Sequence, residues 1–225
     1  MSAPARFWPR YAAWSLDAAL VAVVIAPFLW GRVARGLHAL EQSFVLVLDR
    51  FYGALGRQLD AGGTPDVLAL LSDASIEHAV AALQTALLRA AATPVLVFSA
   101  VMLVWQVAGE RSRWRGSFGK YALGLRVVDR EDRQPVLLRS VLRQFAGVLS
   151  WLSLNIGHAM AAIAPAHLAL HDRLSGTRVV RDDAPRPAGG RRWVGVQAGI
   201  FAALVFALTG RLASLAQAAV ERALG

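Results

Sequence analysis

The first apolar stretch of the chain, Tyr11–Trp30, restricts the fold more than any other segment, because its twenty residues are enough to cross a membrane. The stretch carries one charged side chain, Asp17. A carboxylate inside a span is costly, and such residues usually face a protein interior or a water-filled cavity. Arg10 lies seven residues earlier, on the same helix face and about 10 Å away along the axis. The two side chains can therefore share a polar track without forming a direct pair.

Composition favours a membrane protein. The 225 residues are 56% hydrophobic and 17% charged, against about 45–50% and about 25% in soluble domains. The net charge of +9 would suit a nucleic-acid partner, but the basic residues lie beside apolar stretches, which favours cytoplasmic loops and argues against nucleic acid. The sequence has no cysteine, which excludes disulfides, thiol catalysis and cysteine-bound zinc.

The alternation of apolar and polar segments predicts four regions. The first span has no small-x-small site behind it, so we expect it to remain as an uncleaved signal anchor. Thr93-Pro94, an N-cap and proline signal, predicts the start of a second span that continues to about Ala108. The predicted regions are the N-terminus and first span (1–30), a helical extracytoplasmic insert (31–92), the second span with a β element and a helix pair (93–183), and a linker, last span and amphipathic tail (184–225).

Helix-breaking residues subdivide the insert. Asp49-Arg50 interrupts an apolar run and argues against another span. Thr64 as N-cap and Pro65 at the first helical position predict a new helix, which Ser72-Asp73-Ala74-Ser75 is expected to break again. The insert is therefore predicted to be helical and to lie outside the membrane or on its surface.

Alternating residues predict a small β element after the second span. Strands are expected within Tyr121–Asp129, at Gln134–Leu137 after a turn, and at Gly176–Arg181. The fold class is therefore mainly α. We expect a polytopic membrane protein with three to four transmembrane helices, a re-entrant or interfacial helix pair, and a cytoplasmic β-hairpin or three-stranded element.

The distribution of Lys and Arg predicts orientation. Residues 110–145 hold nine and 171–192 hold six, whereas 31–92 holds five against six acidic residues. The positive-inside rule then places the N-terminus and both basic segments in the cytoplasm. We favour a helix pair across 137–170 that returns to the same face, because a single crossing would put 171–192 outside; yet 145–170 is also long enough for one span.

Four ordered motifs resemble the RDD family of bacterial membrane proteins, named for one arginine and two aspartates. They are Arg10-x-x-Ala13-x-x-x-Asp17, Gly119-Lys120-x-x-x-Gly124-Leu125-Arg126-Val127-Val128, the pair Arg139 and Arg143, and His171-Asp172-Arg173-Leu174-Ser175-Gly176-Thr177-Arg178-Val179-Val180. The resemblance covers about residues 6–30 and 93–183. It implies a signature trio of Arg10, Asp17 and Asp172, supported by Lys120, Arg139, Arg143, His171, Gly176 and Thr177. It also implies a multi-pass protein of the bacterial inner membrane with a transport role; cation/proton exchange has been attributed to some members.

Each member of the trio has a structural alternative. Asp17 either binds a proton or cation, or accepts bonds from neighbouring helices and holds the bundle together. Asp172 either joins the site or accepts backbone N–H bonds in a short turn in which Gly176 takes a positive φ. Arg10 either completes the site or anchors at the lipid head groups.

Other chemistry finds little support in the sequence. Gly116-Ser-Phe-Gly119-Lys120 is not a phosphate loop, which needs four residues between its glycines and Ser or Thr after the lysine. His167 and His171 are four residues apart but lack a third ligand other than Asp172, so no metal site is predicted. We also predict no cofactor, no catalytic residue and no enzymatic activity.

The leading hypothesis is transport of an ion or small solute, with proton-coupled cation exchange as its finer form. In it, Asp17 titrates or binds the cation, Arg10 sets the charge state of Asp17, and Asp172 forms part of a cytoplasmic gate. The alternative is a non-catalytic accessory or assembly protein that binds a partner through residues 31–92. The expected partners are the lipid bilayer and a monovalent cation or proton; a second copy or another protein is left open.

Overall fold

The computed structural model describes residues 3–62, 64–182 and 189–224, and most of them are helical. In chain order the elements are the helices α1 (Phe7–Asp60), α2 (Val67–Leu71), α3 (Ala74–Arg111) and α4 (Phe118–Ala122), strand β1 (Leu125–Asp129), helices α5 (Leu137–Leu152) and α6 (Ile156–Ala159), a 3₁₀ turn (Met160–Ala162), helix α7 (Leu170–Ser175), strand β2 (Thr177–Arg181) and helix α8 (Gly189–Leu224). The chain divides into two compact units, unit 1 (Met1–Ile25 with Phe98–Ala198) and unit 2 (Ala26–Val97 with Gly199–Gly225). The predicted linker begins at residues 184–188, which lie outside the described residues.

Within the described residues, three helices, α1, α3 and α8, are long and apolar enough to cross a membrane. A helix can do so because it satisfies its backbone hydrogen bonds internally, as the hydrocarbon core requires. The predicted mainly helical class and its membrane-spanning character are confirmed.

The helices extend beyond the first two predicted spans, and the predicted helix start at Thr93 is wrong. The first helix continues past Trp30 to Asp60, and α3 begins at Ala74 rather than at Thr93. Polar side chains do not end a helix whose hydrogen bonds are internal, and membrane helices tolerate prolines such as Pro27 and Pro94. Residues 31–60 and 74–92 therefore continue the helices that contain the first two spans.

Within unit 2, a short turn and helix α2 connect α1 to α3. The carboxylate of Asp66 caps α2, because its Oδ1 accepts the N–H groups of Leu68 at 2.9 Å and Ala69 at 3.2 Å. The predicted cap at Thr64 is therefore two residues too early. The expected break after α2 is confirmed at Ser72-Asp73, between α2 and α3.

Within unit 1, β1 pairs antiparallel with β2 over its whole length. The predicted return strand at Gln134–Leu137 does not form. Residues 134–136 are irregular, and α5 begins directly after them. The Asp129 carboxylate accepts the N–H groups of Glu131 and Arg133 at 2.9 Å each, which turns the chain away from β1. Pro135 also lacks the N–H that a ladder needs.

Small apolar side chains fix the start of α1 onto this sheet. The buried cluster consists of Ala5, Ala13, Leu125, Val127 and Val179. The N–H of Ala5 also donates to the carbonyl of Val179 at 3.0 Å. The first turn of α1, which carries Arg10, is thereby held against β2.

The pairing of β1 with β2 decides how residues 137–170 relate to a membrane. A segment that crossed once would carry its two flanking strands to opposite sides. Because the strands are hydrogen-bonded to each other, a single crossing is excluded. The segment leaves the sheet and returns to it, as the predicted re-entrant or interfacial helix pair requires.

Glu131 precedes α5, Arg173 lies in α7, and both are exposed; the geometry predicts that they lie on one side of the membrane. The chain contains no cysteine, so Glu131→Cys and Arg173→Cys each introduce one label site. An impermeant thiol reagent should label both variants from the same side of oriented vesicles, with the cysteine-free parent as blank. Labelling from opposite sides would contradict the strand pairing.

Candidate functional site

Asp17 is fully buried and accepts four hydrogen bonds in unit 1. Its Oδ1 accepts Trp105 Nε1–H at 2.9 Å and the backbone N–H of Gly119 at 2.7 Å. Its Oδ2 accepts Gln106 Nε2–H at 3.0 Å and the Ser117 hydroxyl at 2.5 Å. These four donors match the roughly four acceptor positions that a carboxylate offers.

Two glycines let the backbone approach closely enough to build this shell. A Cβ at Gly119 would lie 2.1 Å from the carbonyl oxygen of Ala13 and 3.0 Å from Cγ of Asp17. A Cβ at Gly109 would lie 2.5 Å from Cα of Ser117. The start of α4 therefore packs directly against α1, and the turn before it packs against α3.

Lys120 connects the shell of Asp17 to a second buried acid. Its ammonium donates to Gln106 Oε1 and to Ser117 Oγ, the latter at 3.4 Å. It also lies 3.9 Å from Oε1 of Glu110. Burial lowers the pKa of Lys120, and the carboxylate of Glu110 opposes this shift.

Glu110 lies at the end of α3 and is fully buried. Its Oε1 accepts Gln144 Nε2–H at 3.1 Å and lies 3.5 Å from Arg143 Nη1. Its Oε2 has no hydrogen-bond partner among the residues that the structure describes. Among the described residues the Glu110 carboxylate thus accepts one hydrogen bond, fewer than that of Asp17 or Asp172, although Oδ1 of Asp172 also has no hydrogen-bond partner there.

Asp172 receives two guanidinium groups. Arg143 Nη2 lies 3.2 Å from its Oδ1, and Arg10 Nη1 donates to its Oδ2. The backbone N–H of Ala169 donates to the same Oδ2 at 3.0 Å. Burial raises the pKa of Asp172, but the two arginines outweigh burial and lower it to about 2.

These contacts form one chain of alternating charge, which we call the six-charge network. It consists of Asp17, Lys120, Glu110, Arg143, Asp172 and Arg10. Three acids and three bases cancel, so the network adds no net charge to the interior. This cancellation is what allows six ionisable groups to be buried together.

Two histidines border the Asp172 end of the network. His171 Nε2 lies 3.4 Å from both Arg143 Nη2 and Asp172 Oδ1, and the rings of His158 and His171 are 5.2 Å apart. Burial lowers the pKa of His171 to about 3, although the charge of Asp172 acts in the opposite direction. His171 is therefore neutral at physiological pH.

The structure brings together only some of the residues singled out from sequence. Arg10 and Asp172 are in direct contact, whereas Asp17 reaches them through Lys120, Glu110 and Arg143. Arg10 also donates to the carbonyls of Ala5 at 2.9 Å and His167 at 2.7 Å, so it is anchored by protein groups rather than by head groups.

The remaining predicted residues have local roles. Arg139 lies outside the network, 3.9 Å from Asp129 and half-exposed. Gly176 ends α7 at a φ of 64°, which favours glycine, and Thr177 shares a hydrogen bond of 2.8 Å with Ser175. Within the described part of the chain, no group of three or more His, Asp or Glu side chains is placed to hold a metal ion.

One network residue, Glu110, escaped the sequence reasoning, as did Gln144, which bonds it, and the Asp17 donors Trp105, Gln106 and Ser117. One signal was present: Gln106 and Glu110 are four residues apart at the end of an apolar stretch, and so share a helix face. A polar pair in that position indicates a site in the same way that Asp17 does.

Fold and site together define a polytopic helical membrane protein whose first two spans are tied by buried charges to a small layer of short helices and two strands. The chain belongs to the RDD family, since the RDD family model matches residues 4–176. Searches among curated proteins and among solved structures gave no match.

The close approach at Gly119 predicts that Gly119→Ala destabilises the protein. A methyl group there collides with the backbone of Ala13, and overpacking of this kind costs about 2 kcal/mol. Thermal melting in detergent measures the effect. Gly195→Ala in α8 is the matched control, because a Cβ there meets nothing within 4 Å. Equal melting temperatures for the two variants would refute the packing of α4 on α1.

The low pKa of His171 predicts loss of stability in mild acid. Between pH 6.5 and about 3, unfolded chains bind a proton at His171 that the folded protein does not, so stability falls as pH falls, by up to about 1.4 kcal/mol per pH unit. Asp172, whose pKa is depressed to about 2, adds a further loss below about pH 4.

Melting curves from pH 7 to pH 4 measure this slope. His171→Gln keeps a polar group and removes the titration, so its slope should be shallower than that of the parent. His38→Asn, at an exposed histidine, should leave the slope unchanged. A parent slope that survives His171→Gln would contradict the assignment.

Proposed function

We propose that this RDD family protein transports an ion or small solute across the membrane, coupled to proton movement. The observation that carries the proposal is the six-charge network, whose side chains are at most 12% exposed. Ionisable groups in and beside membrane helices are expensive, and in membrane proteins they commonly line pathways for ions or protons.

The neutrality of the network couples the binding of a cation or proton at one of its acids to the release of a proton from one of its bases. A cation or proton that binds to one acid leaves one uncompensated positive charge in a buried site. The network regains neutrality when one of its bases releases a proton. Arginine does not release protons in proteins, whereas a buried lysine does so readily. Lys120 is therefore the exchanging base, and its pKa is already lowered by burial.

The position of Lys120 selects the acids that take part. It lies beside Glu110 and shares Ser117 and Gln106 with Asp17. We assign the substrate cation or proton to these two acids. The two arginines at the other end keep Asp172 ionised and hold α5 and α7 against the start of α1, where a gate would form.

A structural function is the competing candidate. The four donors of Asp17 and the paired arginines of Asp172 also suit a network that only ties helices together. The protein would then be an accessory or assembly factor that binds a partner through residues 31–92. The turn in that segment exposes Leu59, Val67, Leu68 and Leu71, a surface on which a protein partner can bind.

Proteoliposomes with a pH-sensitive dye test the transport proposal. A sodium or potassium gradient should drive proton movement through the parent protein. Lys120→Met should reduce this flux about 100-fold, since it removes the exchanging proton, and Asp17→Asn and Glu110→Gln should also reduce it. Arg139→Gln, outside the network, is the control and should retain the parent flux.

Stability and partner measurements separate the two candidates. Melting curves for each variant show whether a lost flux reflects unfolding. A parent protein without flux, which co-purifies with a partner that is lost on Leu68→Gln, would support the accessory function instead. Unchanged flux in Asp17→Asn or Lys120→Met would contradict the mechanism.

A further inference from the structure

A basic groove of about 590 Å³ lies between α1 and α3 within unit 2, remote in sequence from the network residues. Arginines from both helices line it, together with hydroxyl and small side chains, and none of its lining residues is acidic. The lining residues are Arg32, Arg35, Gly36, Ala39, Ser43, Ala82, Thr85, Ala86, Arg89 and Ala90.

The three arginines have unused hydrogen-bond donors. Within residues 3–62, 64–182 and 189–224, none of Arg32, Arg35 and Arg89 forms an ion pair, and Arg32 bonds only the Thr93 hydroxyl, at 3.1 Å. Among the other exposed arginines of unit 2, Arg57 pairs with Asp73, Arg211 with Glu41 and Arg222 with Asp49, whereas Arg50 forms no ion pair with a described residue. The groove therefore concentrates positive charge that the protein itself does not neutralise.

Close helix packing builds the groove. A Cβ at Gly36 would lie 2.8 Å from Cβ of Ala90, so α1 and α3 are nearly in backbone contact there. The groove next to this contact is open because the residues that line it on both helices are small, namely Ala39, Ala82 and Ala86. The arginines on either side are carried by two closely packed helices rather than by a loop.

The sequence places the groove at the edge of the hydrocarbon region. Arg32 directly follows residues 11–31, whose one charge is Asp17, and Arg89 directly precedes residues 90–109, which carry none. Each stretch has about the length of a bilayer core. The basic ends of two spans therefore meet at the level where phospholipid head groups lie.

Apolar side chains flank the arginines. Leu37, Leu87 and Leu88 are 60%, 55% and 71% exposed and lie next to the groove in sequence. A free phosphate ion has no apolar part that could contact these leucine side chains. The acyl chains of a lipid could cover them. Guanidinium groups bind phosphate oxygens through paired N–H donors.

We propose that this groove binds the head-group phosphate of an anionic phospholipid. Arg32, Arg35 and Arg89 neutralise the phosphate, and the hydroxyl of Ser43 supplies a further donor. The acyl chains lie along the exposed leucines. The site is independent of the proposed transport function, because none of its residues belongs to the six-charge network.

Thermal melting of the full-length protein in a neutral detergent tests the proposal. Phosphatidylglycerol is titrated into the micelles, with phosphatidylcholine and inorganic phosphate as parallel arms. The groove variant is Arg32→Gln with Arg35→Gln and Arg89→Gln. The control variant, Arg57→Gln with Arg211→Gln and Arg222→Gln, lowers the net charge of +9 by the same three units.

Phosphatidylglycerol should raise the melting temperature of the parent and the control at similar concentrations. The groove variant should need about tenfold more of this lipid, or fail to respond, given the contribution of each arginine near an anionic lipid. Phosphatidylcholine and inorganic phosphate should give no comparable shift. If the triple variant does not fold, Arg35→Gln alone keeps the Arg32–Thr93 bond and should weaken the response several-fold.

Three results would overturn the proposal. Equal loss of response in both triple variants would show that total charge, not the groove, attracts the lipid. An unchanged response in the groove variant would place the lipid elsewhere. Stabilisation of the parent by inorganic phosphate alone would assign the groove to a free anion.

Discussion

The need to neutralise buried charge organises unit 1. Three acids and three bases have been removed from water. Five of them form ion pairs with neighbours of opposite sign, and Asp17 accepts four hydrogen bonds from neutral donors. To meet this need, residues distant in sequence must come together: Asp17 with the turn before α4, Glu110 with α5, and Asp172 with the first turn of α1. The network therefore connects α1, α3, α4, α5 and α7 through charge as well as through packing.

Backbone proximity makes these pairings attainable. Gly119 and Gly109 let the chain approach closely enough for an N–H and a hydroxyl to reach Asp17. The pairing of β1 with β2, together with the bond from Ala5 to β2, fixes α7 beside Arg10. The small sheet thus acts as a scaffold for the acid–base contacts, and its strands matter for the site although neither contributes a charge to the network.

The structure also separates two kinds of arginine. Arg10 and Arg143 are enclosed and paired, so their charges serve the interior. Arg32, Arg35 and Arg89 are exposed and unpaired within the described residues, so their charges are available to the surroundings. The net charge of the chain does not reveal this difference. Whether an arginine is paired depends on whether the fold places a carboxylate within reach of it.

The sequence by itself determined the membrane class, the spans, two of the strands and most of the ionisable residues of the network, because hydropathy and charge are properties of short segments. Only the tertiary structure decided the helix limits, the strand partners and the place of Glu110. Helix α1 runs past Trp30, where the predicted span ends, and α3 runs through Thr93-Pro94, where a start was predicted, since neighbouring groups in membrane helices can replace the bonds that such residues remove. Likewise, Asp17 joins Arg10 not through their shared helix face but through Lys120, Glu110 and Arg143, because the contacts that neutralise a buried charge depend on packing between segments far apart in the chain.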